Sequence, residues 1–236
     1  MRESDDERKA RLPAAVFDLA LRLGANPQQV PTGVKLTQTG RMKRKLGTEN
    51  WMKFKAKQTI SAHHCAFDWR ARFGPFGMLS VRDAVDDQDA HLDAKLLGFI
   101  PVMHNGSSPA LVRGEMMRYL AEIALMPDAI LFNRALRWHV HGPSTIAVSA
   151  GQGTGAADIM LGLDADGRIE TTFAPDRPRS VTPPYLPTPW RGRFSDYRWH
   201  CGRWLPFVAE IGWEIDGKGQ LYWQGRMETW EITGVA

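Results

Sequence analysis

Gly114-Glu115-Met116-Met117-Arg118-Tyr119-Leu120-Ala121-Glu122 is a helix-forming block in a chain of 236 residues that otherwise reads as strands. Ser108 is a good N-cap, and Pro109 suits a first helical position that needs no N–H donor. Met126-Pro127 stops the block, because proline cannot continue a helix without a kink. Asp128 to Asn133 leaves room for one more turn. At about 100° per residue, Glu115, Arg118 and Glu122 share a narrow stripe opposite a broad apolar arc that includes Met116, Met117, Tyr119 and Leu120. The stripe has two readings. As a solvated face, its ion pairs contribute about 0.2–0.5 kcal/mol each. Facing a cavity, Arg118 would bind an anionic or carbonyl oxygen, and a buried Glu of raised pKa would act as general base.

Outward from the block the apolar period changes from helical to two. Met52, Phe54, Ala56, Gln58 and Ile60 share one face, as do Cys65, Phe67, Trp69, Ala71 and Phe73. Lys53, Lys55 and Lys57 alternate with the first set, as on the wet face of an edge strand. Met78 to Asp83, Ala90 to Ile100, Leu136 to His141, Thr145 to Ser149, Ile159 to Leu163 and Ile169 to Phe173 read as further strands. Phe207 to Ile215 and Leu221 to Ile232 flank Asp216-Gly217-Lys218-Gly219, and Asp164-Ala165-Asp166-Gly167 is a second hairpin signal. Pro175 to Pro189 holds six prolines and reads as a loop. Leu12 to Leu23 reads as a short helix ended by Gly24. Residues 1–11 read as a solvated tail, and 12–236 as one β-rich domain.

The net charge of +4 and pI of about 9.2 admit an acidic partner, but most Lys and Arg are scattered singly, so neither nucleic acid nor membrane is expected. No segment reaches the roughly eighteen apolar residues of a bilayer span. The charged start lacks a secretory signal, which gives an expectation of a cytoplasmic protein. Cys65 and Cys201 are too few for a disulfide framework and read as buried thiols.

His139-Val140-His141 puts two imidazoles on one strand face, a geometry metal sites use, with His64, Asp83 or His200 as further ligands. No close-spaced motif completes that set, so no metal or cofactor is expected, and His64 or His139 serves better as a single acid or base. Gly151-Gln152-Gly153-Thr154-Gly155 lacks the lysine and the helix of a phosphate loop. Nine Trp and ten Met suit a roomy apolar pocket with adaptable walls.

Several pieces together resemble an uncharacterised bacterial family classed as a domain of unknown function. They are Arg118-Tyr119-Leu120-Ala121-Glu122 with Pro127 and Trp138, Gln38-Thr39-Gly40-Arg41-Met42, Trp51-Met52-Lys53-Phe54, Phe67-Asp68-Trp69-Arg70-Ala71-Arg72 and Pro189-Trp190-Arg191-Gly192. The resemblance implies a shape similar to lipoprotein-carrier half-barrels, in which a curved antiparallel sheet wraps helices and encloses an apolar cavity.

The expected fold is therefore α+β: one large curved antiparallel sheet with a central helix on its concave face and an N-terminal helix. The first expectation for function is a cofactor-independent acid–base enzyme, a lyase, isomerase or hydrolase, acting on a small apolar or aromatic molecule. Arg118, Glu122, Glu115, His64 and His139 would be catalytic. Arg70, Asp83, Tyr119, Trp69, Trp138 and Tyr197 would bind substrate. The alternative is a non-catalytic carrier of a lipid or other hydrophobic molecule, which needs the pocket but not the charged stripe. The oligomeric state stays open.

Overall fold

The computed structural model describes residues 5–87, 89–179 and 184–234. Among them, thirteen strands form one antiparallel sheet. The first meander holds β1 (Gly33–Lys43), β2 (Trp51–Ser61), β3 (Ala66–Phe73), β4 (Leu79–Asp86), β5 (Asp89–Leu96) and β6 (Ile100–Asn105). The second holds β7 (Arg137–Gly142), β8 (Thr145–Ala150), β9 (Ala157–Leu163), β10 (Ile169–Pro178), β11 (Pro187–His200), β12 (Arg203–Ile215) and β13 (Lys218–Thr233). In space the order is β6-β5-β4-β3-β2-β1-β13-β12-β11-β10-β9-β8-β7. The meanders therefore join at one seam, where β1 pairs with β13 from Gly33↔Thr233 to Met42↔Trp223.

The helices are α1 (Asp5–Arg11), α2 (Ala14–Arg22), α3 (Pro109–Ala121) and α4 (Asp128–Phe132), with a short 3-10 turn over Glu122–Leu125. The two-residue period sorts the faces. In β2, Phe54, Ala56, Gln58 and Ile60 are buried while Lys53, Lys55 and Lys57 are exposed. The sheet curves as a half-barrel and α3 lies on its concave face, touching β4 and β5 on one limb and β8 to β10 on the other. Ser108 caps α3 as its sequence requires, its Oγ accepting from Leu111 N at 3.2 Å. Gly24, at φ +91°, ends the turn after α2, where a side chain would meet the Gly202 carbonyl.

Five expectations need correction. Cys65 is buried as expected, but Cys201 is exposed, in the turn between β11 and β12. The stretch read as a solvated tail is helical from Asp5, and residues 1–4 lie outside the described residues. Arg8 is buried, donating to the Pro27 carbonyl and lying over the Phe132 ring, so burial overrides a hydrophilic composition. β2 is an interior strand between β1 and β3, and the sheet edges are β6 and β7. Its lysines occupy the face away from α3. Ala90 to Ile100 is one strand and the start of another, because the chain turns at Leu97-Gly98. The proline-rich segment belongs largely to the sheet: β10 runs to Pro178 with a bulge between Ala174 and Arg177, and β11 starts at Pro187. Proline is tolerated at these strand ends and at the bulge because little ladder bonding is lost there.

Candidate functional site

In the acid-base-acid stripe of α3, Glu115 is buried and Arg118 and Glu122 are half-buried, and the concave sheet supplies their partners. Arg118 donates from Nε to Glu122 Oε1 at 2.8 Å and from Nη1 to Asp83 on β4. Its guanidinium lies over Phe67 and Trp69, 4.5 and 5.2 Å from the ring centroids. Burial opposes its charge, but the Glu122, Asp83 and Glu115 carboxyls outweigh that and hold it firmly protonated. Gln58 on β2 donates to Glu122. On the other limb, Arg177 of β10 donates to Glu115 Oε1 at 3.3 Å and to the Gly114 carbonyl at 3.1 Å. It also stacks on Trp190, 4.4 Å from the centroid. Two residues before Glu115, Arg113 donates from Nη2 to both carboxylate oxygens of Asp176 on β10, at 2.8 and 2.9 Å.

Burial is the main cause that pushes Glu115 up to about 8; the Asp83 carboxylate adds to it, and Arg177 and Arg118 oppose it. Glu115 Oε2 and Asp83 Oδ1 are both buried and lack a donor, yet the two carboxyls sit within hydrogen-bonding reach. One shared proton satisfies both oxygens. It also leaves two guanidiniums facing two carboxylates, a neutral belt where three carboxylates would leave a buried excess charge. The arrangement clamps α3 to both limbs of the half-barrel.

Beside the belt lies an aromatic floor. Phe54, Phe73 and Trp69 pack on one another with centroids 5.5 to 6.4 Å apart, and Trp223 stacks on Phe54 at 5.7 Å and 28°. These rings rest on glycine. A Cβ at Gly40 would lie 2.6 Å from the Phe54 ring, and one at Gly225 would lie 2.2 Å from the Trp223 ring. Gly40 and Gly225 pair directly across the seam. Leu79, Val81, Met42, Met52, Ile211 and Trp223 continue the apolar surface and are only partly buried. Trp213 and Tyr222 stack beside it at 5.9 Å, with Tyr222 accepting from Trp190 Nε1 at 3.1 Å.

The sequence candidates separate on this geometry. Glu115, Arg118, Glu122, Asp83 and Trp69 come together, with Trp69 Nε1 donating to Gln38 at 3.1 Å. Tyr119 is buried elsewhere, donating to the Ser61 carbonyl and accepting from Asn133. Arg70 stands on the opposite face of the sheet, paired with Asp68. His64 is exposed in the β2–β3 turn, 3.8 Å from Asp87. His139 and His141 are exposed on edge strand β7, their rings 4.5 Å apart. Among the described residues no group of three His, Cys, Asp or Glu is placed to hold a metal. Trp138 is on β7, half-buried, and Tyr197 donates to the Ile169 carbonyl at 2.6 Å. Arg177, Gln58 and the two floor glycines were missed. Arg177 was hidden by the prolines around it, whereas the Gly40 and Gly225 signal, a glycine inside an alternating strand, was present.

A family model described as a family of unknown function (DUF6544) matches residues 2–225. No curated protein matches this chain. Among solved structures, a LolA superfamily protein from Nitrosomonas europaea is similar at 6% identity, covering 95% of this chain and 96% of its own, with a TM-score of 0.53. A beta-barrel-like protein of DUF1849 from Brucella abortus matches at 9% identity over 87% of this chain and 100% of its own, with a TM-score of 0.29.

Proposed function

Starting from the premise that this chain belongs to the family of unknown function DUF6544, we propose that it is a non-catalytic carrier or binding protein for a small hydrophobic molecule. The observation that carries this reading is the partly buried apolar surface around Phe54 and Trp223, laid flat on Gly40 and Gly225. A concave aromatic surface gives an apolar ligand contact on several sides, and methionines at its margin adapt to different shapes. The acid–base enzyme, the first expectation from the sequence, is the weaker reading. Arg118 is already paired with Glu122 and Asp83, and Glu115 is held by Arg177. A general base also needs a substrate proton within reach, and the remaining oxygen of Glu115 is turned to Asp83.

Native mass spectrometry of the protein as purified, followed by titration with N-phenyl-1-naphthylamine, tests the reading. The expected result is a bound apolar molecule that survives unchanged, and saturable probe binding. Trp223→Ala weakens that binding by about 1–2 kcal/mol, roughly fivefold to thirtyfold, while Glu115→Gln leaves it unaltered. Turnover of the co-purified molecule by wild type, lost in Glu115→Gln, would restore the enzyme.

A further inference from the structure

The register gathers on one face what the sequence scatters. On the side of the sheet away from α3, Lys55, Arg72, Ser80 and Lys95 fall in one cross-strand row, and Lys57, Arg70 and Arg82, with Asp93 at its end, in the next. They border an open trough of about 1850 Å³. Nine of its lining residues are Arg or Lys and three are Asp or Glu. That surplus of six exceeds the +4 of the entire chain, so the rest of the molecule is slightly acidic and the field is concentrated here. Arg70 and Arg82 share Asp68. Lys55 and Arg72 sit directly opposite each other with no ion pair among the described residues. Directly opposed like charges destabilise a sheet pair, and an anion laid across them removes that cost.

A second, independent observation lies at the rim. The turn between β3 and β4 holds Phe76 at φ +58° and 100% exposed. The adjacent turn between β5 and β6 holds Leu97 at φ +54°, 53% exposed, followed by Phe99 at 72%. Met78, Ile100 and Val102 beside them are also exposed. Bulky side chains are rarely found at positive φ, and two neighbouring tips that accept this strain to display apolar groups to water call for an apolar partner.

From the trough and the tips together, we infer that this face docks on an anionic phospholipid bilayer, the basic rows on the headgroups and Phe76, Leu97 and Phe99 in the acyl boundary. A polynucleotide would satisfy the charges but not the aliphatic tips; a lipid surface satisfies both. A membrane partner was not expected from the sequence, because these basic residues on four different strands are not adjacent until the strands pair. This inference does not rest on the carrier reading: Gly40, Phe54, Val81 and Gly225 border the trough as well as the floor, but the basic side chains and the apolar tips lie apart from the floor's rings.

The test is sedimentation of the full chain with vesicles of phosphatidylcholine alone, or with roughly one part in four phosphatidylglycerol. Binding is expected only to the anionic vesicles and weakens as ionic strength rises past about 0.1 M. Each basic residue near such a surface accounts for about fivefold in partitioning, so the double variant Lys55→Glu, Arg72→Glu loses more than tenfold. Phe76→Asn separates docking from folding, because Asn tolerates the left-handed backbone. Its melting temperature rises while its vesicle binding falls about fivefold. Equal binding to neutral vesicles, no binding at low salt, wild-type binding by either variant, or capture by single-stranded RNA in place of vesicles would each overturn the proposal. N-phenyl-1-naphthylamine binding stays intact in both variants, which keeps this result distinct from the test of the aromatic floor.

Discussion

Glu115 is a carboxyl whose folded environment favours the proton. Its pKa moves from 4.5 in an exposed chain to about 8 in the fold. Between those values the folded state binds more protons than the unfolded state, so stability falls as pH rises through the window and levels off above about pH 8. Glu115→Gln keeps the shape and the hydrogen bonding but has no proton to lose. Urea unfolding is expected to show the variant near wild type at pH 5 and more stable by about 1–3 kcal/mol at pH 8. A variant that is less stable at both pH values would mean that the belt needs a charged Glu115. Gly40 behaves oppositely. A methyl there meets the Gln224 carbonyl at 2.2 Å as well as the Phe54 ring, so Gly40→Ala costs about 1–3 kcal/mol in the same assay. The stripe was legible from spacing alone, but the raised pKa was not. It depends first on burial between the two limbs of the sheet and then on Asp83, thirty-two residues before Glu115, with Arg177, sixty-two residues after it, working against the shift.

α3 shows which part of an element its own sequence carries. Its start, its stop and the residues sharing each side follow from Ser108, Pro109, Pro127 and the helical period. What each side meets does not, because a wheel records angle and not surroundings. Here the apolar arc and Glu115 are buried and Arg118 and Glu122 are half-buried, since the two limbs of the sheet enclose the helix. The stripe is therefore neither a solvated face nor the wall of an open cavity but a pair of clamps, Arg118 to Asp83 on β4 and Arg177 to Glu115 on β10. Arg177→Met removes one clamp and the stacking on Trp190. The expected loss is about 3 kcal/mol, larger above pH 8, where Glu115 ionises without its cation, than at pH 5, where it is protonated. A loss independent of pH would place the effect in packing alone. α1 makes the same point in reverse: its composition is that of a tail, and Arg8 anchors it through Pro27 and Phe132, partners far along the chain.

For the molecule as a whole, the alternation of apolar and polar residues made the class legible, a large antiparallel sheet with one central helix. Strand order was not legible, because β1 and β13 pair across nearly the full length of the chain and no local pattern records that. Among the described residues this seam is the only place where the two meanders share the hydrogen bonds of the sheet. It is fastened from inside by Trp230, whose Nε1 donates to the Leu125 carbonyl at 2.8 Å. The aromatic floor lies over the same seam, with Phe54 and Gly40 contributed by the first meander and Trp223 and Gly225 by the second. An apolar ligand on the floor therefore contacts both meanders at once and favours only the closed seam. At a hundredfold excess over its dissociation constant, such a ligand stabilises the fold by about 2.7 kcal/mol. For a chain of this size that is a melting temperature about 5–10 °C higher than that of delipidated protein. Hydrogen exchange carries the sharper expectation. Amides of residues 34–42 and 223–232 become more protected when N-phenyl-1-naphthylamine binds, while those of the edge strands β6 and β7 do not change. Protection spread evenly over all thirteen strands, or confined to an edge, would show that the ligand sits elsewhere and that the seam closes without it.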